Sequence, residues 1–333
     1  MPNSNNARVL LSKYYNILEE NQIPGFIQCK HTPISYKKSD STEELWGKHD
    51  KACEEIKINE AIPEQSLLDL KIELASRIFK KCCFCERKCK VDRREQSGLC
   101  GVTQSRVSSE FLHYGEESPL LPSHTIFFSG CTFNCVFCQN WDISQNICGI
   151  IIKPSTLADF INKRKTQGAR NVNWVGGDPT PNILFILETL KQCNNNIPQI
   201  WNSNMYCSSK SMKLLKGAID LYLTDFKYGN NKCAKHLSKV DNYLETIQRN
   251  HKIAIENGDI IIRHLILPNH IECCSKPIIK WIADNLPNAM VNIMAQYRPE
   301  YHANDYSDIS RSITIDEVKI VRDYAKQLNL QEI

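Results

Sequence analysis

From residue 125 onward, short apolar runs alternate with helix-like stretches, and nothing else in the chain narrows its fold so far. The runs at 125–129, 171–175, 199–202, 219–224, 260–267 and 291–295 are rich in β-branched and aromatic residues, as buried strands are. Between and after them lie helix-like segments near 156–167, 182–193, 208–216, 240–257, 275–285 and 314–328. Parallel neighbours need a crossover of about a dozen residues or more, so the alternation predicts an α/β fold, a parallel sheet covered by helices. Periodicity leaves an open doubly wound sheet and an incomplete barrel as alternatives. In both, chemistry belongs at the carboxyl ends of the strands.

The first run leads into TIFFSGCTFNCVFCQNW, residues 125–141. Gly130 supplies the turn out of the strand, and Cys131, Cys135 and Cys138 follow with C-x3-C-x2-C spacing. One loop can therefore aim three thiolates at one centre. A structural zinc site takes four protein ligands and a cubane has four iron corners, so three local thiolates leave a coordination position unfilled. Taken alone, the spacing also suits structural thiols, or a zinc site whose fourth ligand is distant.

With Phe137 just before the last cysteine, CTFNCVFC resembles the signature of the radical S-adenosylmethionine (SAM) enzymes. The resemblance implies that Cys131, Cys135 and Cys138 hold three irons of a 4Fe-4S cluster, with the amino and carboxylate groups of SAM on the fourth. It also implies a partial (β/α)6 TIM-like barrel rather than an open sheet.

The second strand runs into Gly176, Gly177 and Asp178, where the family has a Gly-Gly-Glu motif that contacts the SAM amino group; Asp178 departs from it with a shorter reach. A helix start capped by Asp before Pro179 is the plain alternative. After the fourth strand come Asp225 and Lys227, two apart and so on one side of an extended backbone. They resemble the Asp-x-Lys that lines the SAM pocket of pyruvate formate-lyase activating enzymes; a surface ion pair is the alternative. Arg263, inside the apolar run of the fifth strand, must face a ligand or a carboxylate, and the resemblance gives it a place near SAM. His264 points the other way and reads as structural. Asn292, Gln296, Tyr297 and Arg298 form a polar and aromatic rim, and Gln139, Asn140 and Trp141 adjoin the cysteine loop.

Upstream, CCFCERKCKVDRREQSGLCGV holds Cys82, Cys85, Cys89 and Cys100 with C-x2-C-x3-C-x10-C spacing, enough thiolates to close a metal site. Zinc and an auxiliary iron-sulfur cluster both suit it, and Cys83 stands as a spare. Nearby Arg87, Lys88, Lys90, Arg93 and Arg94 are expected to lower the thiol pKa values. Before this segment, 9–20 and 66–79 read as helices and 33–50 as an exposed connection. The organisation expected is an amino-terminal helical and cysteine-rich extension over 1–120, with the metal-binding stretch at 82–102, and a core domain over 121–333. Cys29, Cys53, Cys148, Cys193, Cys207 and Cys233 read as packing; the pair Cys273 and Cys274 lies between a strand and a helix.

At 333 residues and 42% hydrophobic content the chain has ample material for a core. Its 41 basic and 37 acidic side chains leave a net charge of +4, too even a mixture to indicate a nucleic-acid partner. No apolar stretch approaches membrane-spanning length and MPNSNNARVLL lacks a secretory pattern, so a cytoplasmic protein is expected, its sixteen cysteines reduced. The resemblance narrows to the pyruvate formate-lyase activating enzyme-related branch, with the AmmeMemoRadiSam radical enzyme a near relative. It implies an oxidoreductase that takes one electron from a flavodoxin- or ferredoxin-like partner, cleaves SAM reductively to a 5'-deoxyadenosyl radical and abstracts hydrogen from a protein substrate. A peptide, RNA or small-metabolite substrate, or a non-catalytic metal-binding protein, are the competing readings.

Overall fold

A computed structural model describes residues 4–333. Eight strands hydrogen-bond in chain order: β1 (Val107–His113), β2 (Ser123–Phe128), β3 (Asn171–Gly176), β4 (Gln199–Ser203), β5 (Leu221–Asp225), β6 (Asp259–Leu265), β7 (Met290–Met294) and β8 (Gln331–Glu332). β1 runs antiparallel to β2; every later pair is parallel. Strands β2–β7 are the six expected, each linked to the next through helix, and β1 and β8 lie at opposite ends of the strand order. The architecture is a partial TIM-like barrel.

Alternation along the strands builds the interior in layers, because residues two apart share a face. The lowest layer is apolar: Ile200, Leu221, Leu223, Ile261 and Met290 cluster with Ala7, Leu11, Tyr14 and Leu120. The amino-terminal helices Ser4–Leu10 and Ser12–Leu18 thus form a floor at the amino ends of the strands. Tyr14 fixes them: its N–H donates to Asp259 Oδ2 (2.7 Å) at the start of β6, and its hydroxyl accepts from Asn171 Nδ2 (2.9 Å) at the start of β3. One step up, Asn202, Arg263 and Asn292 make a polar layer. Above it lie Val175, Asp225, Leu265 and Met294, which face a cavity.

Several elements differ from expectation. β1 is new; its burial alternates and its sequence, VSSEFLH, mixes Ser and Glu with apolar residues, as an edge strand does. The stretch 33–50 is not all connection, since Thr42–Glu54 is a helix started by a capping box between Ser41 and Glu44. Only Leu45 and His49 of that helix are buried, so its apolar stripe is faint. The segment 9–20 breaks between the two floor helices. The long helix is Tyr243–Asn257, and a separate one, Asn231–Ser238, precedes it. No helix among the described residues is long and apolar enough to cross a membrane.

Candidate active site

β2 ends at Phe128, and the chain leaves it through Gly130 at φ +85°, a left-handed conformation suited to glycine. A Cβ there would lie 2.7 Å from Cys100 O. Cys131, Cys135 and Cys138 follow, all free thiols. Their loop rests on the end of helix Asn231–Ser238: Asn134 N donates to Ser238 O (3.1 Å) and Val136 N to Leu237 O (2.9 Å). Each sulfur has a polar neighbour. Cys131 Sγ accepts from Asn204 Nδ2 at 3.8 Å, Cys135 Sγ lies 2.9 Å from Ser238 Oγ, and Cys138 Sγ lies 3.2 Å from Ser144 Oγ.

The three cysteines line one side of a cavity of about 200 Å³ at the carboxyl ends of the strands. Facing them are Gly176 and Gly177 after β3, Asp225 and Lys227 after β5, and Arg263 of β6, together with Gln139, Asn140 and Gln296 at its edge. Lys227 Nζ donates to Asp225 Oδ2 at 2.7 Å. Burial disfavours the lysine charge, but the carboxylate of Asp225 outweighs it, and the pKa is raised. The cavity therefore carries a fixed ammonium beside a carboxylate. Burial pushes the Cys135 thiol up to about 12 and Cys131 well above its ordinary value, so both keep their protons until a cation displaces them.

The glycines serve backbone contact. Gly177 N donates to Phe128 O (2.9 Å), and a Cβ on Gly177 would come 2.2 Å from Gly130 O, so the ends of β2 and β3 interlock. Asp178 is not among the cavity's lining residues. Buried behind the loop, it accepts from Ser203 Oγ (2.7 Å) and Thr132 Oγ1 (3.1 Å), and burial raises its pKa to about 6. Arg263 finds carboxylates: Nε donates to Glu117 Oε1 (2.7 Å), Nη2 to Glu117 Oε2 (2.8 Å) and to Glu116, and Nη1 to Asn202 Oδ1 (3.2 Å). Asn292 Nδ2 also donates to Glu117 (2.8 Å). His264 is tied between Phe226 O (2.9 Å) and Ser275 Oγ (2.8 Å), away from the cavity.

Three thiols from one loop are the donors that three iron corners of a cubane take, leaving a fourth corner uncovered, and Asp225 with Lys227 stands beside them as a charged pair. The spacing of the thiols agrees. Among the described residues these sulfurs are not gathered within 4.8 Å of one another, as ligands of a single ion would be; on a cubane each takes its own iron corner. The radical SAM superfamily model matches residues 125–282, which hold every residue of this arrangement except Glu116, Glu117, Asn292 and Gln296. Over 97% of its length the chain is also 46% identical to the uncharacterized protein MJ0674 of Methanocaldococcus jannaschii, covering 99% of that relative.

The chain belongs to the radical SAM superfamily. A second protein of the same organism, the uncharacterized MJ0808, is 23% identical over 71% of this chain and 78% of its own length. Among solved structures, Streptococcus suis SuiB bound to S-adenosylmethionine shares 15% identity at a TM-score of 0.47, covering 61% of this chain and 47% of SuiB. Methylornithine synthase (PylB) shares 14% at a TM-score of 0.46, covering 96% of this chain and 78% of its own. The superfamily implies a 4Fe-4S cluster and SAM, and the residues present fit both.

In this radical SAM protein the amino-terminal cysteine segment docks directly on the active-site loop. Arg87 Nε donates to Thr132 O (2.8 Å), and Cys100 and Cys131 line a shared hollow of about 220 Å³. Cys82, Cys85 and Cys100 have raised thiol pKa values because burial outweighs the basic residues, contrary to the lowering expected. Arg93 is spent on Val102 O (2.8 Å) and Pro181 O (2.6 Å). Cys233 is not isolated: Cys273, Cys274 and His270 bring their ligand atoms close to its sulfur. Sequence reasoning also missed Asn204, Ser238, Glu116 and Glu117, which carry no local motif.

Proposed function

We propose that the protein is a radical SAM oxidoreductase of the activating-enzyme kind, which abstracts hydrogen from a polypeptide substrate. The observation that carries this reading is the single cavity shared by Cys131, Cys135, Cys138, Asp225 and Lys227. A 4Fe-4S cluster held by those thiols would supply the electron that splits the sulfonium of SAM into methionine and a 5'-deoxyadenosyl radical.

The chain's own residues bind and orient. Lys227 and Asp225 present both signs of charge, matching the carboxylate and ammonium of a methionyl group. Arg263, clamped by Glu116 and Glu117, keeps the polar layer beneath the cavity in one arrangement, its charge taken up by the two carboxylates. Asn204, Ser238 and Ser144 set hydrogen-bonding groups beside the three sulfurs, a lever on the potential of whatever those sulfurs bind. Asp178 braces the loop through Thr132 rather than reaching a ligand. The Asp-x-Lys arrangement supports the activating-enzyme branch, and a flavodoxin- or ferredoxin-like protein is the electron donor that such a site calls for.

Cys82, Cys85, Cys89 and Cys100 hold a second iron-sulfur cluster in this reading. Zinc would draw four sulfurs to about 3.8 Å separations, given Zn–S bonds of about 2.3 Å. The four cysteines are not gathered in that way among the described residues.

The test is anaerobic turnover. Reconstituted, reduced protein mixed with SAM should yield 5'-deoxyadenosine and methionine, and adding a polypeptide substrate labelled with deuterium at its α-carbons should carry deuterium into the 5'-deoxyadenosine. Absence of any SAM cleavage by iron-loaded protein would sink the proposal. Cleavage with label transfer only from a small metabolite or an RNA would move the substrate to that class.

A further inference from the structure

Cys233, His270, Cys273 and Cys274 lie outside the cavity, yet their ligand atoms all sit within 4.8 Å of one another. Cys273 Sγ stands 3.9 Å from Cys233 Sγ, 3.9 Å from Cys274 Sγ and 3.4 Å from His270 Nδ1; Cys274 Sγ is 3.9 Å from the same nitrogen. Tetrahedral zinc, with bonds of about 2.3 Å to sulfur and about 2.0–2.1 Å to nitrogen, would place its sulfurs about 3.8 Å apart and sulfur about 3.5 Å from nitrogen. The observed separations are close to those edges. They are far from the bonded distance of a disulfide, about 2.05 Å.

The surroundings suit an ion as well. His270 Nε2 lies 3.1 Å from Asp308 Oδ2, so the carboxylate can hold the tautomer that leaves Nδ1 free to ligate. Asn230 accepts from Cys233 N at 2.8 Å and donates to Cys273 O at 2.8 Å, tying both halves of the group together. Adjacent side chains diverge on an α-helix, so Cys273 and Cys274 could not both face one point there. They sit instead in a π-helical turn, Ile271–Ser275, where the backbone is wider.

We propose that Cys233, His270, Cys273 and Cys274 bind one structural zinc ion. Three thiolates and an imidazole make a closed Cys3His set with no position left for substrate. Zinc carries no redox chemistry, so it would not divert electrons from the neighbouring site. Its consequence is mechanical. It joins the loop after β5 to the loop after β6, and helix Asn231–Ser238, which carries Cys233, ends at the serine 2.9 Å from Cys135. On the other side a Cβ at Gly229 would lie 2.7 Å from Cys273 O, so the turn that follows Lys227 packs on the same group.

The test uses full-length protein purified anaerobically, with zinc as the only metal varied. Wild type should retain one zinc by mass spectrometry, and Cys233→Ser with Cys274→Ser should lose it, while Cys85→Ser with Cys89→Ser keeps it. Peptide-resolved alkylation of wild type decides the matter if the first variant does not fold. Cys233, Cys273 and Cys274 should resist iodoacetamide with zinc bound and label at least tenfold faster after chelation. Cys273 is exposed, so equal labelling with and without zinc would overturn the proposal. Protection relieved by a reductant rather than a chelator would assign a disulfide and overturn it too, as would iron in place of zinc. None of these readouts depends on SAM cleavage, so failure here leaves the radical reading standing, and the reverse.

Discussion

Cys131, Cys135 and Cys138 come from one loop and stand apart around a cavity; Cys233, His270, Cys273 and Cys274 come from the connections after β5 and after β6 and close in on a point. Both groups sit at the carboxyl ends of the strands, joined by the single helix Asn231–Ser238. The contrast separates two uses of the same ligand chemistry. Wide-set donors suit several metal atoms with a vacancy among them, whereas tight donors suit one ion that is fully enclosed.

The largest effect that would break this contrast is loss of an active-site thiol. Cys135→Ala should reduce 5'-deoxyadenosine formation to background and lower bound iron by about four per chain, leaving zinc at one equivalent. Chromatography and metal analysis on one sample check both, and lost zinc would show that the two sites are not independent. Next, Cys85→Ser with Cys89→Ser should remove about four further irons while the radical site's iron remains, read by iron and sulfide content. Lys227→Ala should weaken SAM binding by roughly 10- to 100-fold, the worth of a charged hydrogen bond, with iron unchanged; titration calorimetry or SAM-dependent spectral change measures it.

The last effect is read in stability rather than in SAM binding or cleavage and concerns Asp178, whose folded-state pKa of about 6 exceeds its ordinary 3.8. Because the folded state holds this proton more tightly, the carboxyl's contribution to stability is full below about pH 4 and is lost as pH rises through about 6, on the order of 3 kcal/mol in all. Asp178→Asn should flatten that slope in urea melts across pH 4–7. An unchanged slope would take Asp178 out of its buried position.

What could be read from the chain follows the same division. The gathering of these residues round one cavity was legible because C-x3-C-x2-C, Gly-Gly and Asp-x-Lys are each local, and because strand and helix periods place them at one end of a parallel sheet. The Cys233 group was not, since a residue after β5 and three after β6 meet only through the register of those strands. Arg263 was half legible: an arginine in an apolar run demands a partner, but Glu116 and Glu117 come from the turn between β1 and β2, where no pattern announces them. The faint helix Thr42–Glu54 went unseen because its buried stripe is two residues wide. Asp178 misled for a geometric reason: a residue after two glycines can face either the cavity or the loop, and Thr132 and Ser203 turn it inward.

The floor built by Leu11 and Tyr14 closes the barrel at the end remote from the sulfurs. The base of the barrel is therefore no route of exchange, and whatever occupies the cavity comes and goes on the side of the strand tips that line it.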